Sequence, residues 1–120
     1  MYVYDKANEL ARAIKESGEY KEMVQAKETL AQKQEHVDMI KDFMKIQMNI
    51  QTMNMLNQEV NDELKESFNL LYTSMMNIEA CRKFLEAQNT FGRLVQDIYK
   101  IIGDACNVMD ELLEDMMPEA

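Results

Sequence analysis

The chain has 120 residues, 22 acidic side chains against 13 basic ones, a formal net charge of -9, three glycines, one proline and twelve methionines. One domain suits this length, 47% hydrophobic residues suffice for a core, and the acidic excess opposes salt-driven contact with nucleic-acid phosphates. No window nears the roughly 18 apolar residues of a membrane span, and Met1 to Lys15 carries charges throughout, with no signal-peptide core.

A cytoplasmic protein with no membrane insertion and no direct nucleic-acid contact is therefore expected. Gly18, Gly92 and Gly103 stand alone and Pro118 lies near the end. Sandwiches and barrels need more turn residues, and phosphate-binding loops need clustered glycines. An all-α fold remains, expected as an elongated bundle of about five helices in one domain, residues 1–120.

At 100° per residue, Val3, Ala7, Leu10, Ala11 and Ile14 share one face of a first helix. Gly18 offers it a left-handed stop. A second helix restarts near Glu19, with Tyr20, Met23, Val24, Leu30 and Ala31 as its stripe, and fades from Gln32 to Glu35. A third helix, about 37–56, is apolar around more than half its circumference. Met39, Ile40, Phe43, Ile46, Ile50 and Met53 form one flank, and Val37, Met44, Met48 and Met55 another. Gln47, Gln51 and Asn54 sit inside the apolar arc. Such a helix packs on two partners. Either it is central in one bundle, or one flank meets a second subunit.

Asn57 can take the left-handed cap that ends this helix. Asn61, followed by Asp62 and Glu63, suits a helix start. The fourth helix aligns Val60, Leu64, Phe68, Leu71, Met75 and Ile78, and Asn77 is a second candidate N-cap. The last segment keeps one apolar phase from Phe84 through Phe91, Leu94, Val95, Ile98, Ile101, Ile102, Ala105, Met109, Leu112 and Leu113 to Met116. That predicts one long helix, roughly 50 Å in length over 84–116 and running from 79 to 117, with Gly103 as the alternative bend. A helix that long projects from a small globule and needs a partner, which predicts a homo-oligomer. Residues 103–120 form an acidic amphipathic extension with six acids and no lysine or arginine.

Catalytic residues are scarce. His36 is the only histidine and reads as a solvated helix-start residue, so no Glu-x-x-His pair can form on two helices. Neither an enzyme nor a metal site is expected. Cys81 and Cys106 are separated by roughly 37 Å if the last helix is continuous, beyond any disulfide. They read as small hydrophobes, with a redox or cluster role as the weaker alternative. The methionines, concentrated on the third helix and near the C-terminus, suit either a core or an adaptable binding surface.

The series Tyr4, Ala7, Leu10, Ala11, Ile14, Ser17 and Tyr20 resembles the opening of the YlbF/YmcA family of small helical bacterial proteins. Phe43 with Gln47 and Gln51, the run Phe84-Leu85-Glu86-Ala87-Gln88, and Leu94, Ile98, Ile101 and Ile102 extend that resemblance over about residues 4–102. Asn57 stands where relatives often carry glycine, and Ile78 where a proline often follows the asparagine. The resemblance implies an all-helical, oligomeric, non-enzymatic protein. Its best-known members join a complex that adjusts messenger-RNA processing by a membrane-attached endoribonuclease and affects competence, sporulation and biofilm formation. That complex is also associated with iron–sulphur clusters, the sole source here for any cofactor. The paired tail cysteines of such members have no counterpart, since Cys106 has no second tail cysteine beside it.

The expected function is a regulatory adaptor working through protein contacts. Its expected contact residues are Phe43, Gln47, Ile50, Gln51, Phe91, Leu94 and Ile98. Two other classes compete: a holdase with a Met-rich apolar surface, and an iron–sulphur or redox sensor using Cys81 or Cys106.

Overall fold

The computed structural model describes residues 2–116. Among them are six helices and no strand: α1 (Tyr2–Glu16), α2 (Gly18–Leu30), α3 (Gln34–Met55), α4 (Asp62–Met76), α5 (Glu79–Ala105) and α6 (Val108–Met116). The all-α expectation holds, with one helix more than expected.

The corner between α1 and α2 is made by Ser17, not by Gly18. The Ser17 hydroxyl donates to the Ile14 carbonyl at 2.6 Å and accepts from the Tyr20 N–H at 3.2 Å. One side chain thus satisfies the end of one helix and the start of the next. Gly18 is the first residue of α2 and has no positive φ, so its left-handed role is not used. Helix α3 begins at Gln34, three residues earlier than the apolar pattern suggests. Its first turn is polar but helix-competent, and the Gln34 amide donates to Asp38 at 2.9 Å.

Asn57 ends α3 in the left-handed conformation, with φ 56°. The Gln58 N–H reaches back to the Met53 carbonyl at 2.8 Å, and the Asn57 N–H to the Asn54 carbonyl at 3.2 Å. These are the paired bonds of a Schellman cap. Asn61 caps α4, its side-chain oxygen accepting from the Leu64 N–H at 2.7 Å. Asn77 does not start α5. It is the C-terminal cap of α4, and Ile78 precedes α5 with no side-chain bond. Arg82 compensates by donating to the Met76 carbonyl of α4 at 3.2 Å, in a partly buried contact.

The last helix is not continuous. Helix α5 ends at Ala105, a turn occupies Cys106 and Asn107, and α6 follows. Gly103 lies inside α5 and makes no bend there. The apolar spacing in the sequence runs on through residues 106 and 107, which is why the pattern does not reveal the interruption. Nothing packs on this stretch to hold it straight, and Asn107 is a weak helix former. Its carbonyl instead accepts from the Glu111 N–H to begin α6. Met117 and Pro118 lie outside the described residues.

The core is small and sits where α2, α3, α4 and α5 meet. Ala26, Leu30, Ile40, Phe43, Met75, Cys81, Phe84, Leu85 and Ala87 are buried, with Met75 and Cys81 fully enclosed. Phe43 stacks on Phe68 at 5.0 Å between ring centroids, and Tyr20 meets Phe91 edge-on at 5.8 Å. Helices α1 and α6 contain no buried residue. The molecule is a plate of 47 × 43 × 16 Å with a radius of gyration of 19.2 Å. A compact chain of this length would have a radius near 14 Å.

Candidate protein-interaction surfaces

The expected contact residues separate into three groups. Phe43 belongs to the chain's own core, 3% exposed. Any role it has at a surface is to position α3. Gln47, Ile50 and Gln51 lie one to two turns further along α3 and line a groove of about 520 Å³ with Met44, Met48 and Phe68. Gln47, Met48 and Gln51 are exposed, and Met44, Ile50 and Phe68 are half-buried. This groove has an apolar floor, flexible thioethers and two amides that can bond a partner's backbone. Such a combination adapts to a protein segment. Helices α3 and α4 position it, because Phe43 and Phe68 stack beneath.

Phe91, Leu94 and Ile98 lie on α5, all half-buried. Phe91 is held by Tyr20 of α2. Beyond Ile98 the same stripe is uncovered, with Ile101 69% and Ile102 47% exposed. The stripe continues onto α6 through Val108, Met109, Leu112, Leu113 and Met116, all exposed. The α5 stripe is therefore anchored at Phe91 and open at its C-terminal end. The two expected clusters, on α3 and on α5, do not join into one site.

Sequence reasoning missed a third surface. The α1 stripe of Val3, Ala7, Leu10, Ala11 and Ile14 was readable as an amphipathic face, but periodicity cannot show that nothing covers it. Val3 is 73% exposed and only Ile14 among the five is half-buried. Met44, Met48 and Phe68 were likewise visible as apolar residues, and only the packing of α4 on α3 turns them into a groove.

A groove of about 800 Å³ runs between α2 and α5, where Ala26, Ala80 and Ala87 keep the helices narrow. His36, Glu22, Glu79, Lys83 and Glu86 line it. Lys83 is paired with Glu79 at 2.9 Å, and that hydrogen bond and charge hold the Glu79 carboxyl below its usual range. No group of three or more histidine, cysteine or carboxylate side chains is placed to hold a metal among the described residues.

The cysteines do not fit a cluster within one chain. Cys81 is fully buried in the core, and burial pushes its thiol pKa up, against thiolate formation. Cys106 is exposed at the α5–α6 turn, and both are free thiols. Iron–sulphur clusters take up to four thiolates, and one reachable thiol does not supply them.

The model of the family described as "Control of competence regulator ComK, YlbF/YmcA" matches residues 3–107. The chain belongs to the YlbF/YmcA family. Relatives include a UPF0342 protein of Symbiobacterium thermophilum, 41% identical over 106 residues that cover 88% of this chain and 95% of that one. A UPF0342 protein of Desulfitobacterium hafniense is 34% identical, over 88% of this chain and 85% of its own. A third, from Caldicellulosiruptor bescii, is 34% identical over 92% of each chain. The YlbF/YmcA description is that of a regulator and names no enzymatic activity. Its match takes in α1 to α5 and the turn after them, and stops where α6 begins. No helix of the described residues is long and apolar enough to cross a membrane.

Proposed function

We propose that this YlbF/YmcA-family chain is a non-catalytic regulatory adaptor, acting in the cytoplasm through protein–protein contacts. Its regulated process is messenger-RNA processing by an endoribonuclease complex, with competence, sporulation or biofilm formation downstream. The observation that carries the reading is surface area. The chain exposes 9901 Å², whereas a compact folded chain of 14.1 kDa exposes roughly 6,700 Å². The excess of about 3,000 Å² goes with an extended plate whose exposed large hydrophobics include Val3, Ile101, Val108 and Met116, a construction that suits a subunit working through partners.

The α3 groove is the surface offered to the regulated partner. Ile50→Glu would place a charge on its apolar floor without touching the core, and a desolvated charge there is costly to any docked partner. In the native bacterium, deletion of the gene should alter the processed ends of messenger RNAs across the transcriptome. The Ile50→Glu allele should reproduce the deletion while its product stays folded by circular dichroism. Unchanged transcript ends in the deletion strain would refute the reading.

A holdase is a second reading, favoured by Met48 and Met55, which are 66% and 84% exposed. Suppression of a model client's aggregation at stoichiometric amounts, lost in Met48→Ser with Met55→Ser, would support it.

A further inference from the structure

The groove of about 800 Å³ between α2 and α5 has no part in the reading above. Its floor is Ala26 of α2 with Ala80 and Ala87 of α5, and half-buried Ile78 lies where α5 starts. Its rims are charged. Glu79 and Glu86 stand about 80° and 100° round α5 from Ala87, and Glu22 about 40° round α2 from Ala26. All three carboxylates line the groove itself and are exposed. Lys83 lines it too, but Glu79 already holds its ammonium at 2.9 Å. Glu22 and Glu86 have no ion-pair partner among the described residues. His36 lines the groove from the first turn of α3. An apolar floor of small side chains thus lies beneath a rim with two unpaired carboxylates.

We propose that this groove seats a short basic amphipathic helix of a partner protein. The occupant is a helix because α2 and α5 bond their own backbone groups and offer none to an extended strand, whereas a helix satisfies its backbone internally. The alanines let a third helix approach to the usual spacing of about 8–10 Å. From Ile78 to Thr90 the rise is about 18 Å, so the occupant has about twelve residues, or three turns. Its apolar stripe meets the alanines, and lysine or arginine at its flanks meets Glu22 and Glu86. The sign of the rim excludes other occupants. Nucleic acid and anionic lipid headgroups would bring phosphates to carboxylates, and like charges repel. The chain's own α6 offers the rim no base. This site is separate from the α3 groove, which carries neutral amides where this one carries carboxylates, and it does not rest on the transcript reading. An adaptor with both grooves holds two partners of different chemistry.

The probe is a labelled, helix-stabilised peptide of about twelve residues, with alanine and leucine on one face and lysine at its flanks. A second peptide carries glutamate at the lysine positions. Anisotropy titrations with the full chain should show saturable binding of the lysine peptide, weakening as salt rises, and no binding of the glutamate peptide. The methyl resonances of Ala26, Ala80 and Ala87 should shift as the lysine peptide binds. Glu22→Lys with Glu86→Lys, both at exposed positions, should leave the circular dichroism unchanged. That variant should bind the lysine peptide at least about tenfold more weakly and gain affinity for the glutamate peptide. Glu111→Lys with Glu114→Lys makes the same change of net charge on α6, which lines no part of the groove. It should alter the affinity by less than about twofold.

No binding of the lysine peptide, equal affinity for both peptides, or undiminished affinity in the Glu22→Lys, Glu86→Lys variant would each overturn the proposal. An equal loss in the α6 variant would also overturn it, by reducing the effect to the chain's overall charge of -9. Sedimentation with and without peptide decides the remaining alternative. A gain of one peptide per copy supports the assignment, and a mass that falls as peptide saturates would put a second copy in the groove and overturn it.

Discussion

Phe43→Ala tests whether the ring belongs to the core or to a docking face. The ring is 3% exposed, 5.0 Å from Phe68 and 6.0 Å from Tyr72. Removing a buried phenylalanine costs about 3–5 kcal/mol in transfer and cavity terms. The aromatic contacts account for roughly 0.5–1.5 kcal/mol each of such a total. Tyr72 is 43% exposed and Phe68 half-buried, so α4 can settle partly into the space and the cost falls near the lower limit, about 3 kcal/mol. Against a total stability of roughly 5–15 kcal/mol, that is a large share. In urea, with a slope of about 1.5–2 kcal/mol/M, the midpoint should fall by roughly 1.5–2 M. Chain concentration must be held constant, because any self-association would add to apparent stability. Gln47→Ala, exposed one turn further along α3, should shift stability by no more than about 0.5 kcal/mol. A Phe43→Ala midpoint within about 0.3 M of the wild type would refute the packing account, since a ring so enclosed cannot be removed at so little cost.

Asn57→Ala should destabilise by about 1 kcal/mol, because alanine resists the left-handed φ of 56°, and Asn57→Gly should be neutral or better; thermal melts of the three chains give the order. Gly103→Ala should stabilise by roughly 0.5–1 kcal/mol, since a Cβ there meets open space inside α5; a lower melting temperature would mean that the helix bends at Gly103 after all. Alkylation at neutral pH should label Cys106 and spare Cys81 until urea unfolds the core, as mass spectrometry of peptides would report. Burial raises the Cys81 pKa, so the unfolded chain loses that proton first as pH rises. The contribution is complete below the unfolded thiol's range, near about 8.5, and is lost as pH climbs through the folded value. Urea melts at pH 7 and pH 10 should therefore show a loss of stability that Cys81→Ala lessens.

Local rules were legible along the chain wherever one residue performs the act. Asn57 and Asn61 cap as their chemistry requires, because a left-handed turn and an N-terminal acceptor are each served by one short side chain. Legibility failed where two residues compete for the same duty. Ser17 displaces Gly18 at the first corner because its hydroxyl serves both helix ends at once. Asn77 closes α4 instead of opening α5, because Arg82 reaches back to the Met76 carbonyl. The apolar period of residues 84–116 runs unbroken in the sequence and predicted one long helix. It could not show the break at Cys106 and Asn107, because apolar spacing records which residues share a phase and not whether the backbone between them stays helical.

Composition and period determined that this chain is helical and acidic: a helix declares its face locally, within three or four residues. The partner of each face was decided only in three dimensions. Phe43 and Ile50 share a flank of α3, yet the first is buried and the second lines an open groove. Val3 and Phe84 belong to equally regular stripes, yet one is bare and the other buried. Burial depends on which elements the corners bring together, and those corners turn on a few hydrogen bonds that periodicity does not record.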